Sequence, residues 1–313
     1  MRSNEFDNHR NGFYAIAVLS FTLPSFAKIN LCLRVLGKRA DGFHELFTVF
    51  QTVSLHDDIS FTESDHISLT CANKYIPTDE KNLIIKAAQL LSSRSGGKGA
   101  AMHLRKRIPA PGGLGGGSSN AAVTLIGLKR LWNLDISVGD MHSMAAELGS
   151  DVPFFLYGGT AIGTGRGTEI QPIRDVQEPH MVIVTPNKRV STAKAFARIN
   201  AENLTNEAAE SILIVCRSAA ESLYLRHSAL RNDIEAAVFA AFPEIERAKE
   251  RLIELGAVNA LMSGSGASVF AVFDKEETRQ TALKALDDEV NWRKFAVAAI
   301  SRDKYRERVY NKR

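Results

Sequence analysis

At 313 residues the chain is long enough to bury a substantial core and to divide into two domains. Hydrophobic residues make up 45% and charged residues 24%, ordinary globular proportions that exclude a disordered or fibrous protein. The formal net charge of +4 is spread along the chain, which suits an anionic small ligand and excludes the clustered basic face of a nucleic-acid binder.

Cys32, Cys71 and Cys216 are isolated and odd in number, so neither a thiolate zinc site nor a disulfide framework follows. A reducing cytoplasm is the expected setting. No apolar run reaches the length of a membrane-spanning helix, and no membrane partner is expected. The apolar run from Phe13 to Leu19, ahead of Pro24-Ser25-Phe26-Ala27, has the outline of a secretory leader, but Glu5 and Asp7 stand where its basic region should be. Residues 1–20 therefore read as a polar, flexible extension in front of a strand.

From Phe21 to Leu36 the text is strand-like, with Ile29, Leu31, Leu33 and Val35 alternating against Asn30, Cys32 and Arg34. Lys38-Arg39-Ala40-Asp41-Gly42 is a charged turn. Phe47 to Val53 and Asp58 to Phe61 read as two further strands, rich in β-branched and aromatic residues. Asn82 to Ser92 has helical spacing and stops before Ser95-Gly96-Gly97. Met102 to Ile108 is a short strand leading into a glycine-rich loop, after which Ser118 or Ser119 is the expected N-cap of a helix through Ala121, Leu125, Leu128 and Leu131. Another helix spans Val138 to Leu148 and ends at Gly149. Further on come a buried strand at Met181–Val184, helices at Thr192–Ile199 and Pro243–Leu255, and strands at Val269–Phe273 and Ala296–Ile300. Pro172 and Pro179 bracket a charged stretch, which places a domain boundary there: residues 21–175 form the first domain and 176–313 the second.

The strongest single feature is Pro109-Ala110-Pro111-Gly112-Gly113-Leu114-Gly115-Gly116-Gly117-Ser118-Ser119-Asn120-Ala121-Ala122. Glycines let the backbone turn its N–H groups inward and let phosphate oxygens approach, and the following helix points its positive end into the same space. Two other phosphate motifs fail. No lysine lies between Arg107 and Lys129, which excludes a P-loop, and Ser118 occupies the third glycine position of a dinucleotide fingerprint begun at Gly113.

The pattern Pro-x-x-x-Gly-Leu-Gly-x-x-Ser-Ser, followed by alanine, resembles the ATP loop of the GHMP kinases. The form with the added glycine is similar to the branch of that family acting on a diphosphocytidyl sugar alcohol. The resemblance runs on through Ser25-Phe26-Ala27-Lys28-Ile29-Asn30-Leu31, Arg39-Ala40-Asp41-Gly42-Phe43-His44, Ala145 to Phe155, Asn232-Asp233-Ile234-Glu235 and Met262-Ser263-Gly264-Ser265-Gly266-Ala267, in order from about Leu23 onward. Pro111 stands where glycine or alanine is commoner, and Phe43 where tyrosine is. The resemblance implies an α+β, two-domain GHMP kinase fold. Its N-terminal domain would be ribosomal-protein-S5-like, its C-terminal domain ferredoxin-like, and its site would lie in the cleft between them.

It also implies roles for particular residues. Residues Pro109 to Ser119 would bind ATP, the phosphoryl donor, with Mg²⁺ expected and one hydroxyl of Ser118 or Ser119 a candidate ligand. Asp151 alone reads as a turn or capping aspartate; with the resemblance it becomes the general base for the substrate hydroxyl. Lys28 alone reads equally as a snorkelling strand lysine; the resemblance sets it beside Asp151, holding that carboxylate ionised and stabilising developing negative charge. Asn30 shares its strand face and would reach the substrate. Phe43, His44 and Phe196 would take the cytidine part, with Thr192 one helical turn before Phe196; on residue type alone His44 is a loop histidine and the phenylalanines core. Gly264-Ser265-Gly266-Ala267 would close over substrate or phosphates. The partner is thus a small molecule, handled by a monomer or weak homodimer. Two other readings stand beside this one: a GHMP kinase for homoserine, mevalonate or a sugar, or a silent metabolite sensor, against which the presence of both Lys28 and Asp151 argues.

Overall fold

The alternating text after residue 20 becomes two long antiparallel strands, β1 (Ser20–Lys38) and β2 (His44–Ser64), the second absorbing both of the shorter strands expected there. These come from a computed structural model that describes residues 19–199, 206–221, 225–226 and 230–310, with the side chains of 206–212 left out. The extension and the leader-like run lie, for residues 1–18, outside the described residues.

In chain order there follow β3 (Ser68–Cys71), α1 (Leu83–Ser93), β4 (Gly99–Arg105), α2 (Gly116–Leu131), α3 (Val138–Leu148), β5 (Thr160–Thr164) and β6 (Glu169–Pro172). Next are β7 (Met181–Pro186), α4 (Thr192–Ala197), α5 (Asn206–Glu221), β8 (Arg231–Asn232), α6 (Glu235–Ala241) and α7 (Pro243–Glu254). The described chain closes with β9 (Asn259–Met262), β10 (Val269–Val272), α8 (Glu276–Ala285), β11 (Trp292–Val297) and α9 (Arg302–Val309).

The first sheet runs β3-β4-β2-β1-β8, with β5 and then β6 continuing from β2. On the edge opposite β1, strand β2 serves two neighbours because it is long: Thr48–Gln51 pair with β5, and Asp58–Ser64 with β4. The second sheet has the order β11-β7-β10-β9 with every pairing antiparallel. Numbered within that unit the order is fourth, first, third, second, with helices in both crossovers, which is the ferredoxin-like split βαβ arrangement.

Three cores hold these layers together. One lies between the first sheet and helices α1–α3, and includes Phe61, Leu125 and Phe154. A second lies under α6–α8 on the outer face of the second sheet. The third joins the two sheets, where Ala27, Ile29 and Leu31 meet Ile183, Phe270 and Val272. That third core settles a matter of chemistry. Side chains alternate along a strand, so burying residues 27, 29 and 31 between the sheets turns Lys28 and Asn30 to the other face, where the glycine loop lies. Two segments late in the chain return to the first sheet's side: β8 pairs in parallel with β1, and α9 seats Tyr305 and Val309 in the first core.

Candidate active site

The glycine loop is fixed by backbone contacts on both sides. From the first sheet, the Lys28 amide donates to the Leu114 carbonyl at 3.0 Å. From the second, the Ser268 amide donates to Gly112 O at 3.1 Å, and the Ser263 hydroxyl to Gly113 O at 2.9 Å. Gly113 has φ +71°, and a Cβ there would stand 2.1 Å from the Ser263 carbonyl oxygen, so no side chain fits. Asn232 supports the opposing turn by donating to the carbonyls of Met262 and Gly264, both at 2.8 Å.

Helix α2 begins earlier than the serine pair suggests. Its N-cap is Gly115, left-handed at φ +66°, and no side chain caps it. The expectation of Ser118 or Ser119 as N-cap is therefore corrected: a glycine whose φ is positive ends the loop by backbone geometry alone. The first helical bond is from Ser119 N to Gly115 O at 2.8 Å. The amides of Gly116, Gly117 and Ser118 thus have no intrahelical acceptor and form the positive end of the helix. Ser118 borders the cavity, whereas Ser119 is fully buried behind it, its Oγ 2.7 Å from Ser25 Oγ, which in turn lies 2.7 Å from Asn120 Oδ1. Ser119 Oγ is thereby engaged by Ser25, and Ser119 does not line the cavity.

Below the loop sits a buried ion pair. Asp57 Oδ2 accepts from Lys106 Nζ at 2.7 Å, and its Oδ1 accepts from the amides of Arg107 and Ile108 at 2.7 and 2.8 Å. Burial pushes the Lys106 pKa down, and the Asp57 charge pulls it back up. Breaking such a pair by removing one partner costs about 3–5 kcal/mol.

Asp151 hangs between two anchored segments. Helix α3 is capped by Ser137 and ends at Gly149; beyond the aspartate a short helical turn, Pro153–Leu156, buries Phe154 and Phe155 completely. Helix α9 holds that turn, with the Tyr305 hydroxyl donating to Phe155 O and the Tyr310 hydroxyl to Leu156 O. Asp151 Oδ2 lies 3.4 Å from Lys28 Nζ, the lysine 3% exposed and the aspartate 36%. Lys28 Nζ also donates to Asn30 Oδ1 at 2.6 Å, and the Asn30 amide donates to Thr48 Oγ1 at 2.7 Å. Asn30 borders the cavity, but both ends of its side chain are engaged by protein.

Glycine loop, Lys28 and Asp151 open into one cavity of about 810 Å³. Its far end, set off from Lys28 along the β1–β2 ladder where Lys38 pairs with His44, carries His44 and Phe196, ring centroids 5.5 Å apart, and Phe43 and Thr192 also line the cavity. Burial, then the charge of Lys38, lowers the His44 pKa. Phe43 is 51% exposed, and the Arg166 guanidinium covers its ring at 4.6 Å. Thr192 pairs with Ser265 at 2.9 Å, which ties α4 to the second glycine turn. The expected residues from Pro109 to Ser118, with Lys28, Asn30, Phe43, His44, Asp151, Thr192 and Phe196, are thus brought to one space, and Ser119 is not.

Sequence reasoning passed over Thr48, Arg166 and the Asp57–Lys106 pair. Arg166 carried a signal, an arginine between glycines in Gly165-Arg166-Gly167, but nothing local to that stretch points to Phe43, whose ring it covers. Among the described residues, no cluster of three or more His, Cys, Asp or Glu could hold a metal, and no helix is long and apolar enough to cross a membrane.

A two-unit α+β fold, a glycine loop at a helix start and a Lys–Asp pair beside it describe a small-molecule kinase. Residues 82–159 match the family described as GHMP kinases N terminal domain, and residues 216–291 that described as GHMP kinases C terminal. The 4-diphosphocytidyl-2-C-methyl-D-erythritol kinase of Syntrophotalea carbinolica is 40% identical over 90% of this chain and 99% of its own. That of Chlorobium phaeobacteroides is 39% identical over 85% of this chain and 90% of its own. A solved 4-(cytidine 5′-diphospho)-2C-methyl-D-erythritol kinase superposes with a TM-score of 0.73 at 30% identity, covering 89% of this chain and 99% of that one. The chain belongs to the 4-diphosphocytidyl-2-C-methyl-D-erythritol kinase family, within the GHMP kinases.

Proposed function

We propose that this chain transfers the γ-phosphoryl group of ATP to the 2-hydroxyl of 4-diphosphocytidyl-2-C-methyl-D-erythritol, supplying an isoprenoid-precursor route. The observation carrying this reading is the Lys28–Asp151 pair, set between a phosphate cradle and an aromatic pocket within one cavity.

Phosphoryl transfer asks for positioning, charge stabilisation and an acceptor for the hydroxyl proton. The amides of Gly116, Gly117 and Ser118 and the α2 dipole hold phosphate oxygens. Asp151, half-exposed to the cavity, takes the proton of the attacking hydroxyl. The Lys28 ammonium, desolvated at 3% exposure, faces the charge that develops between them. Phe196, Phe43 and His44 hold the cytosine at the far end, which directs the sugar-alcohol hydroxyl toward Asp151.

Mg²⁺ fits as an ion borne mainly by ATP's own phosphates, since it needs few protein ligands and Ser118 is the member of the serine pair that borders the cavity. When bound it would neutralise phosphate charge. The site is complete within one chain, which supports a monomer or weak homodimer. Cys32, Cys71 and Cys216 are all free, which supports a reducing, cytoplasmic setting. The test is ADP release with the diphosphocytidyl substrate, homoserine and mevalonate side by side. Turnover with only the first is expected, and turnover with another in its place would overturn the reading.

A further inference from the structure

We propose that Thr48 is a positioning residue for phosphoryl transfer: acting through Asn30, it sets where the Lys28 ammonium stands. This rests on the reading of Lys28 given above. Thr48 lies on β2 and is 1% exposed. Its hydroxyl has one hydrogen, which it donates to the Cys32 carbonyl at 2.8 Å. Only a lone pair is then left for Asn30. The Asn30 amide must therefore present its NH₂ group, and it does so at 2.7 Å. With Nδ2 turned to Thr48, Oδ1 is on the opposite side, 2.6 Å from Lys28 Nζ.

Each bond in this chain fixes the direction of the next. It starts from a backbone carbonyl, which cannot rotate, and ends on an ammonium at the end of a flexible four-carbon stem. An amide's orientation is ordinarily inferred from its surroundings; here the Thr48 hydroxyl allows only one. The sheet register supplies the geometry. Asn30 pairs with Phe50 and Cys32 with Val49, a shift that leaves one extra residue on β1 between them. A bulge of this kind re-aims side chains, and this one brings the Cys32 carbonyl and the Asn30 amide to the same hydroxyl.

The consequence is a residue that touches no reacting atom yet controls turnover. Thr48→Val keeps the shape and removes the hydroxyl. The Asn30 amide can then reverse and offer a donor to Lys28, which has no acceptor. A misplacement of about 1 Å at a reacting group costs on the order of 10²-fold, so kcat should fall about 10- to 100-fold. Thr48 borders the cavity but is 1% exposed, with its hydroxyl engaged by Cys32 and Asn30, so KM for ATP and for the second substrate should both stay within about twofold. Thr48→Ser should restore most of the loss.

The experiment measures kcat and both KM values for wild type, Thr48→Val and Thr48→Ser, with melting temperatures alongside. Wild-type kcat in a folded Thr48→Val, or a loss that serine does not restore, would overturn the proposal. A rise in ATP KM that accounts for the whole loss would do the same. Crystal structures of wild type and Thr48→Val supply a second readout that needs no turnover. Lys28 Nζ should leave Asn30 Oδ1 in the variant, and an unchanged contact sinks the relay. A wild type inactive on the diphosphocytidyl substrate overturns the substrate reading instead, and leaves this crystallographic comparison decisive for the relay.

Discussion

The glycine loop and the aromatic end of the cavity are proposed to hold the two reactants, yet they are secured by different means. The loop is clamped through its backbone: Leu114 O to β1, Gly112 O and Gly113 O to the turn before β10, with a buried Asp57–Lys106 pair beneath. The aromatic end consists of side chains on a turn, on the first residue of β2 and on a short helix. Phe43 is 51% exposed and steadied by Arg166, and His44 leans on half-buried Phe196. A backbone cradle cannot be altered without moving the chain, whereas an exposed ring can be removed with little effect on the fold. Substitutions at the chemical centre and at the nucleotide end should therefore abolish function, and those at the aromatic end should retune it.

The largest effect is expected where the two ends meet. Asp151→Asn should lower kcat by about 10²–10⁴, the range for losing a general base, with ATP affinity nearly unchanged. Lys28→Met should act similarly. The double variant should lose far less than the product of the two, because the residues, 3.4 Å apart, are proposed to work as a unit. Steady-state kinetics on the three variants decides it, and wild-type turnover in Asp151→Asn would remove the catalytic reading.

At the loop, two glycines sharpen the contrast between a strained position and an open one. A Cβ at Gly115 would stand 2.9 Å from Phe155 Cζ and 3.0 Å from Lys28 Cγ, on a backbone with φ +66°. At Gly117 the nearest atom would be Leu83 Cδ1 at 3.7 Å, ordinary contact. Gly115→Val should thus abolish nucleotide binding and also displace Lys28. Gly117→Ala should keep the melting temperature of the wild type, so any loss of ATP affinity it shows by calorimetry is a local obstruction of phosphate. Unchanged ATP affinity in Gly115→Val would refute the placement of the nucleotide in this loop.

The same contrast explains what could be read from the sequence. Alternation along residues 26–31 forecast the strand, and burial of Ile29 and Leu31 between the sheets then forced Lys28 and Asn30 to a common face. Helix α3 was legible to its ends, because Ser137 caps it and Gly149 stops it locally. The start of α2 was not. Serines are ordinary caps, and nothing local tells that Gly115 is left-handed or that Lys28 and Phe155 crowd the place where a Cβ would stand. Thr48 was hidden for a related reason: its partners, Cys32 and Asn30, come from another strand through a bulge that depends on register. Arg166 lies more than a hundred residues from the ring it covers. Local rules found the cradle, and tertiary packing chose what surrounds it.

A more moderate effect is expected at the aromatic end. Phe196→Ala or Phe43→Ala should raise KM for the diphosphocytidyl substrate about 5- to 150-fold, following the ~1–3 kcal/mol that base stacking contributes. The KM for ATP should hardly move, and Phe43→Tyr should be tolerated since Arg166 packs on the ring face. A rise in the ATP constant instead would place these rings at the adenine and reverse the two ends of the cavity.

The smallest effect concerns the protonation of His44. Burial is the first cause of its lowered pKa, and the positive charge of Lys38 is the second. Both disfavour the imidazolium, so the midpoint should lie below the ordinary histidine value of about 6.5. At neutral pH the ring is then uncharged, with one nitrogen donating and the other accepting, which is the form able to distinguish the edge of cytosine from that of uracil. Lys38→Met removes the second cause and leaves the first, so the midpoint should rise without reaching the ordinary value. Phe196→Ala opens the ring to water and should raise it as well. The measurement is an NMR titration of the His44 ring proton, identified among the eight histidines by its absence in His44→Gln. A wild-type midpoint at or above the ordinary value would show that the aromatic end is as wet as its exposed Phe43 suggests, and that His44 is charged over part of the range in which the enzyme is proposed to work.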